Sequence, residues 1–370
     1  MPVVDVIHAS FHLTHRVRER RLPWIAERIL TQRALNRALL ARQLLLERMQ
    51  APIPRALESL CGLQSQYAPS AYVGLWSRLD GFSRDDLTRA LERRRVVQAT
   101  LLRVTIHMVS SADYWPFTEA VRLERREWWL KAARRMAVER DVVAAVGRAR
   151  ELLAEGPRRR DELVKELGID SSTWNGVGLW LDLVRVPPSG TWNQRSANLY
   201  GLAEDWLGPS GSTEQEGLDL LVRRYLRAFG PASRKDVASF TGLSLTTLRP
   251  VIERLPLRRF RDEDGGDLLD VPRAPLPDPE TPAPVRFLPT WDATLLVHAR
   301  RTQIVPEQHR PRVFDTKTPH SVATFIVDGQ VAGTWRLDRG RVRVEPFERL
   351  PRTVRREVDD EAELLTAFHA

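Results

Sequence analysis

The amino-acid sequence predicts an α+β protein with three tandem winged helix-turn-helix units followed by a small C-terminal β-barrel. Three observations lead to this fold class. Helical periodicity over residues 31–95 is followed by two β-like runs, and a similar pattern returns at a fixed spacing. A proline-rich stretch then precedes a region of short strands. At about 150 residues per domain, a chain of 370 residues has room for two or three domains.

The first predicted unit covers residues 31–140, after an N-terminal extension at 1–30. Apolar residues at helical spacing, among them Leu35 and Leu39, predict its first helix. Three helices and two strands are predicted in order, at residues 31–49, 54–62, 85–95, 96–100 and 104–109. This is the element order of a winged helix-turn-helix.

The same pattern is predicted at residues 141–215 and 216–272. Gly156-Pro157 and Gly230-Pro231 are 74 residues apart, and so are Gly168 and Gly242. A Gly-Pro break followed by a short helix that ends at glycine is typical of a helix-turn-helix entry. A further helix follows in each unit, at 172–184 and 245–255, and turn residues near 187–190 and 264–266 then predict a hairpin.

A proline-rich linker is predicted at residues 273–284, and a β-rich region at 285–370. Short strands are predicted at 285–288, 294–298, 323–327, 331–337 and 342–344. Asp328-Gly329 between two of them is a direct hairpin signal. We expect these strands to form a small barrel, closed by a helix at 352–368.

Composition favours a soluble protein with an anionic partner. Lys plus Arg number 57 against 48 Asp plus Glu, for a formal net charge of +9, which suits the phosphates of nucleic acid. Only four of the basic residues are lysines, and an arginine bias also follows from a GC-rich genome. Charge alone therefore leaves nucleic-acid binding and a solvated surface equally open, whereas three winged units with this charge favour DNA.

Several function classes are excluded by sequence features. No run approaches the roughly 18 apolar residues of a membrane span, and residues 1–30 lack the continuous apolar region of a signal peptide. A single cysteine, Cys61, excludes an internal disulfide and a cysteine-cluster metal site. No Walker, HExxH or GxSxG motif is present. We expect a cytoplasmic monomer without a metal or cofactor.

The candidate site is a pair of glutamines, Gln64 and Gln66, which flank Ser65 just past the second predicted helix. In an extended segment residues two apart face the same side, so both carboxamides can reach one pocket. Taken alone, two glutamines near a turn are usually helix caps or surface polar groups. His107, in an apolar run, is explained either as a packed residue or as a base.

The stretch GLQSQYAPSAYVGLWSRL resembles the signature segment of the tandem winged-helix DNA glycosylases, the AlkZ and YcaQ superfamily. Three further regions are similar, in chain order, to the opening helix, the wing strand and the C-terminal barrel of that family: LNRALLARQLLLER, LLRVTIHMVSSADYW, and FLPTWDATLLVHARRTQIVPEQHRPRVF with FIVDGQVAGTWR. The resemblance covers about residues 30–370.

The resemblance implies removal of alkylated purines from double-stranded DNA, with unhooking of interstrand crosslinks and self-resistance to alkylating antibiotics in some members. The family's catalytic motif maps onto Gln64 and Gln66, with Ser65 at a usually apolar position. Arg300 stands where relatives often carry an acidic residue. Candidate DNA contacts, each also explained as an ordinary surface charge or salt bridge, are Arg103, His107, Arg300, Arg301, Arg310 and Arg312.

Glutamines suffice chemically if the lesion is cationic. An N7-alkylguanine carries a positive charge and leaves as a neutral base, so no general acid is required. A carboxamide oxygen can position a water and stabilise the developing sugar cation, which assigns water orientation to Gln64 and support to Gln66. The four lysines lie outside the motif segment, so we expect hydrolysis without strand cleavage. Crosslinked substrates are bulky, so we expect a solvent-open site rather than a deep base-flipping pocket.

Two other hypotheses remain at this stage. A non-enzymatic winged-helix DNA-binding regulator or scaffold would bind undamaged DNA and tolerate loss of both glutamines. A structural interaction module, whose charge reflects genome composition, would show no salt-dependent affinity for DNA.

Overall fold

The computed structural model describes residues 28–133, 139–296, 302–314 and 321–370, and its architecture is α+β. The helices and strands of the first part of the chain are β1 (Ile29–Leu30), α1 (Gln32–Arg42), α2 (Ile53–Leu60), β2 (Leu63–Gln64), α3 (Ala68–Trp76), α4 (Arg84–Glu92), β3 (Val96–Thr100), β4 (Ile106–Ser110) and α5 (Ser111–Ala133). A single 3-10 turn, Leu102–Val104, lies between β3 and β4.

The first helix begins where the sequence predicts and ends earlier. The Thr31 side chain caps α1 by accepting a hydrogen bond from the Ala34 N–H at 3.2 Å. The helix stops at Arg42 because Leu44 takes a left-handed backbone, with φ of 55°. Residues Ile29 and Leu30, which the sequence assigns to the N-terminal extension, form a strand of the folded chain. The rest of the predicted extension, residues 1–27, lies outside the described chain.

The second part of the chain contains α6 (Glu139–Ala154), β5 (Arg158–Arg159), α7 (Arg160–Leu167), α8 (Ser171–Trp180), β6 (Leu183–Arg185), β7 (Leu199–Leu202) and α9 (Ala203–Leu207). The third contains α10 (Glu214–Phe229), α11 (Arg234–Thr241), α12 (Leu245–Arg254), β8 (Arg258–Asp262) and β9 (Asp267–Asp270). The repeated glycines Gly168 and Gly242 end α7 and α11, each in the left-handed region.

The hairpins join the units through shared sheets. One six-stranded sheet has the order β2-β4-β3-β6-β7-β5, so the first and second parts of the chain share it through the antiparallel pairing of β3 with β6. The third part pairs β8 with β9, and β1 adds to β8 in parallel. This arrangement places β2, which carries Gln64, at an edge of the large sheet.

The C-terminal part contains β10 (Arg286–Leu288), α13 (Ala293–Leu296), a 3-10 turn (Glu307–His309), α14 (Arg310–Val313), β11 (Thr324–Val327), β12 (Gln330–Asp338), β13 (Arg341–Pro346) and α15 (Arg352–His369). The predicted barrel is wrong for the described residues: the four strands form an open antiparallel sheet in the order β10-β11-β12-β13. The predicted strand at 294–298 is also wrong, since α13 occupies its first part and residues 297–301 lie outside the described chain.

Two large hydrophobic cores cross the predicted boundaries. In the first, α10 packs against α5 and α1, with Phe117, Tyr225 and Phe240 completely buried. In the second, α2, α3 and α4 share apolar contacts with the C-terminal sheet and α15, around Tyr72 and Phe325. Among the described helices, none is both long and apolar enough to cross a membrane.

Candidate active site

The motif glutamines lie at the edge of the six-stranded sheet. Helix α2 ends at Leu60. Its C-cap residue Cys61 has φ of 60°, and Gly62 continues the left-handed turn with φ of 77°. The chain then enters β2, where Leu63 pairs with Met108 and Gln64 with His107. A turn at the C-terminal end of a short helix therefore places the motif beside β4.

Gln64 is buried, with 7% of its surface exposed, and is held by an arginine. Its Oε1 accepts a hydrogen bond from Nη2 of Arg103 at 3.0 Å. The Arg103 guanidinium also donates to the Phe240 carbonyl of α11 and lies 5.1 Å from the centre of that ring. Burial lowers the pKa of Arg103 to about 10, so the arginine stays charged at neutral pH and fixes the carboxamide.

Gln66 is exposed and is held by the backbone of the same turn. Its Oε1 accepts a hydrogen bond from the Ile106 N–H at 2.8 Å, while the Ser65 N–H donates to the Ile106 carbonyl at 2.7 Å. A carbonyl oxygen has two lone pairs, so both carboxamide oxygens keep the capacity to accept from a water. The turn at residues 103–106 thus anchors both glutamines, one from the buried side and one at the surface.

The hydroxyl between the glutamines has a buried partner. Ser65 and Gln98 are each 1% exposed, and Nε2 of Gln98 donates to the Ser65 hydroxyl at 3.1 Å. A polar side chain at this usually apolar position is therefore satisfied by a hydrogen bond from β3. The Gln98–Ser65 hydrogen bond therefore holds the motif on its buried side, whereas Arg103 and Ile106 hold the two carboxamides.

The other predicted site residues do not form one cluster. His107 is 2% exposed and its Nδ1 donates to the Thr105 carbonyl at 3.0 Å, and a DNA contact at His107 stays a prediction. Burial lowers the pKa of His107 to about 3, which keeps the ring neutral. Arg310 and Arg312 are exposed on α14. Arg300 and Arg301 lie outside the described residues.

A cavity that the sequence analysis missed adjoins Gln66. It has a volume of about 400 Å³ and extends from Val104 in the β3–β4 turn and Ile106 at the start of β4 to α8 of the second unit. Its walls are rich in aromatic side chains, and Arg185 of β6 also lines it. One sequence feature could have pointed to this cavity. It is the pair Trp128-Trp129, two large apolar residues in an otherwise strongly charged helical stretch.

Helical units around shared sheets, with paired glutamines at a sheet edge, form an α+β fold that has a solved counterpart. The structure is similar to that of Streptomyces sahachiroi DNA glycosylase AlkZ, with a TM-score of 0.76 and 20% sequence identity. The alignment covers 92% of this chain and 97% of that protein. At this identity the likeness establishes the fold.

The sequence itself establishes the family. The model of the AlkZ-like DNA glycosylases matches residues 57–368, which include both glutamines, and the chain belongs to this family. A search of curated protein sequences finds no match. The resemblance drawn from the motifs is confirmed, and with it the expectation of a DNA repair glycosylase at the level of the family.

Proposed function

We propose that this chain hydrolyses the N-glycosidic bond of cationic N7- and N3-alkylated purines in double-stranded DNA. Family membership supports glycosylase activity. The observation that carries the site assignment is the anchoring of Gln64 by Arg103 and of Gln66 by Ile106 on one turn. The proposal includes monofunctional action by a cytoplasmic monomer, unhooking of interstrand crosslinks and self-resistance to alkylating agents.

The anchored glutamines would act on the sugar rather than on the base. Gln64 would orient the attacking water, because its oxygen is fixed in place and has a second lone pair. Gln66, exposed at the sheet edge, would direct a second carboxamide dipole at the developing sugar cation. Fixed dipoles of this kind need no reorganisation during the reaction, which is why they lower its barrier.

DNA binding would use the three helical units as winged helices. Each unit has a short helix that ends in a left-handed residue and a hairpin that follows it along the chain. Exposed arginines such as Arg310 and Arg312 would contact phosphates, and Arg103 would be close enough to the motif to meet the lesion strand. The net charge of +9 supports such contacts.

The test is excision from a duplex that carries one N7-methylguanine, scored by cleavage of the resulting abasic site. We expect Gln64→Ala and Gln66→Ala each to lower the excision rate by about tenfold or more while DNA affinity is kept. Gln330→Ala, which removes an exposed glutamine on β12, is the matched control and should leave the rate unchanged. Binding without excision of this lesion or of a crosslinked duplex would favour a non-enzymatic DNA-binding protein.

The charge of the lesion gives a separate prediction. Two uncharged carboxamides stabilise a sugar cation less than a carboxylate does, so activity should depend on a leaving group that is already cationic. We expect excision of the neutral lesion 1,N6-ethenoadenine to be at least about a hundredfold slower than that of N7-methylguanine. Parallel single-turnover assays measure the ratio, and comparable rates for the two lesions would contradict this mechanism.

A further inference from the structure

The cavity beside Gln66 has the dimensions and the chemistry of a ligand site. Its volume of about 400 Å³ falls within the range of roughly 300–1,000 Å³ that is common for small-molecule pockets. One wall belongs to the turn that anchors the glutamines, at Val104 and Ile106. The opposite wall belongs to α8, so the cavity lies between the first and second units.

Flat aromatic surfaces form much of the lining. Trp174 and Tyr200 meet edge to face with ring centres 5.4 Å apart, and Trp129, which is buried, also lines the cavity. Trp128 is 56% exposed although it is large and apolar. Aromatic side chains at a nucleic-acid site stack with planar rings. The lining therefore favours a planar ring.

A buried arginine provides polar recognition in the same cavity. Arg185 is 6% exposed, and its guanidinium donates to the Ala197 carbonyl at 3.2 Å and to the Thr100 hydroxyl at 3.1 Å. Its Nη2 also donates to the Tyr200 hydroxyl at 3.4 Å, and the guanidinium lies 5.2 Å from the centre of that ring. Among the described residues, no carboxylate forms an ion pair with Arg185. A guanidinium carries five N–H donors, so Arg185 keeps donors for an acceptor on a ligand in the cavity that it lines.

We propose that this cavity binds a planar, uncharged ring that carries a hydrogen-bond acceptor, stacked against the aromatic wall and bonded to Arg185. The proposal rests on the proposed glycosylase function, because Gln66 connects the cavity to the reaction site. Two sources supply such a ring: the purine itself, turned out of the duplex, or a flat substituent attached to it. The positive charge of Arg185 favours the purine after it has become neutral by leaving the sugar.

A glycine on α8 allows the cavity to be filled without disturbing its walls. Gly178 lines the cavity, and a Cβ placed on it meets no atom within 4 Å. Gly178→Leu should fold, because leucine replaces glycine inside a helix and enters open space. Gly147→Leu is the matched control, since Gly147 is also helical, has the same free space and lies away from the cavity.

Excision assays with two lesions distinguish the two sources. If the purine enters, Gly178→Leu lowers kcat/KM for N7-methylguanine and for N7-(4-acetylbenzyl)guanine by about tenfold or more, while Gly147→Leu does not. If only a substituent enters, Gly178→Leu affects the arylmethyl lesion alone. Equal rates of Gly178→Leu and Gly147→Leu on both lesions would overturn the proposal.

A binding measurement separates this proposal from the proposed function. Free 7-methylguanine and 4-acetylbenzyl alcohol are titrated into the full chain and observed by saturation-transfer difference NMR. We expect at least one of them to bind to wild type and to Gly147→Leu but not to Gly178→Leu, whether or not the wild type excises any base. Trp128→Ala, on an exposed wall, should weaken the same signal, with Leu123→Ala on the same helix as control. Absence of binding to wild type, or equal binding to Gly178→Leu, would rule out the site.

Discussion

The Ser65 hydroxyl determines how the inner side of β2 is held. Gln98 donates to it at 3.1 Å, and both side chains are completely enclosed. Ser65→Ala should lower the free energy of unfolding by about 1–3 kcal/mol, because it leaves the buried Gln98 amide without its acceptor.

Urea unfolding measures that loss, and a double variant tests its cause. Ser65→Ala combined with Gln98→Met removes both polar partners and should recover most of the stability. If the double variant is less stable than Ser65→Ala alone, the hydrogen bond is not the reason for the loss. The excision rate should fall with the single variant and recover in parallel, since Ser65 lies between the two glutamines.

His107 makes stability depend on pH. Burial, assisted by the charge of Arg103, lowers its pKa from 6.5 to about 3 in the folded protein. Below pH 6.5 the unfolded chain takes up a proton that the folded chain refuses, so stability is lost as pH falls from 6.5 towards 3. Within this range the free energy of unfolding should fall by up to about 1.4 kcal/mol for each unit that the pH falls.

His107→Asn isolates this contribution. An asparagine amide can still donate to the Thr105 carbonyl but does not titrate in this range. Urea unfolding is measured from about pH 4, above the folded pKa of about 3, to about pH 7, above the unfolded pKa of 6.5. The free energy of unfolding should fall less steeply with falling pH for the variant than for wild type. Identical slopes would mean that the imidazole is solvated and protonates in the folded state.

At the scale of elements, left-handed residues end the short helices and orient the next strand or helix. Gly62 and Gly168 both have φ near 70°, at 77° and 65°, but their surroundings differ. A Cβ on Gly62 would lie 2.9 Å from Cγ1 of Val109, whereas one on Gly168 meets nothing within 4 Å. The first turn is therefore packed against β4, and the second is open.

Alanine at the two positions should separate backbone strain from packing. Gly168→Ala should cost about 1–2 kcal/mol of unfolding free energy from the left-handed backbone alone. Gly62→Ala should cost more and should also slow excision, because Val109 must shift and β2 must move with it. Thermal unfolding and excision assays measure both effects. Equal losses at the two sites, with full activity, would show that the Gly62 turn does not position β2.

Some elements could be predicted from local chemistry and others could not. Asp328-Gly329 predicted the β11–β12 hairpin correctly, since both residues adopt left-handed backbones that few others tolerate. Helix α3 was missed because residues buried on every side, from Ala68 to Leu75, show no helical alternation of polar and apolar positions. The glutamine motif can be recognised within a short stretch of sequence. Its anchor Arg103 could not be predicted in this way, because it is 39 residues away from Gln64.

Whole-molecule features depend on contacts that no short segment encodes. The cavity unites Gln66 and Trp128 of the first part of the chain with Arg185 and Tyr200 of the second. The predicted barrel is an open sheet in the described structure because its apolar face is covered by the first unit and by α15 rather than by its own strands. The proline-rich linker therefore separates the C-terminal sheet from the earlier part of the chain in sequence. In the folded protein the sheet nevertheless packs directly against the first unit.

A buried ion pair ties the first unit to the C-terminal region. Nη2 of Arg78, at the end of α3, lies 3.0 Å from Oδ1 of Asp292, and both side chains are inaccessible to solvent. Asp292 also accepts hydrogen bonds from the backbone and hydroxyl of Thr294. Arg78→Met should cost about 3–5 kcal/mol, because it leaves the carboxylate buried without its cation.

Replacing both partners should be much less harmful than replacing one. Arg78→Met combined with Asp292→Leu removes the uncompensated charge and, with apolar groups of similar size, should regain most of the loss. Because the second core joins α2 and α3 to the C-terminal sheet, Arg78→Met should lower the unfolding midpoint of both regions together. Hydrogen exchange in urea would measure this. Selective loss of protection in the C-terminal sheet, with α2 and α3 unaffected, would show that the two regions unfold independently and that the ion pair does not couple them.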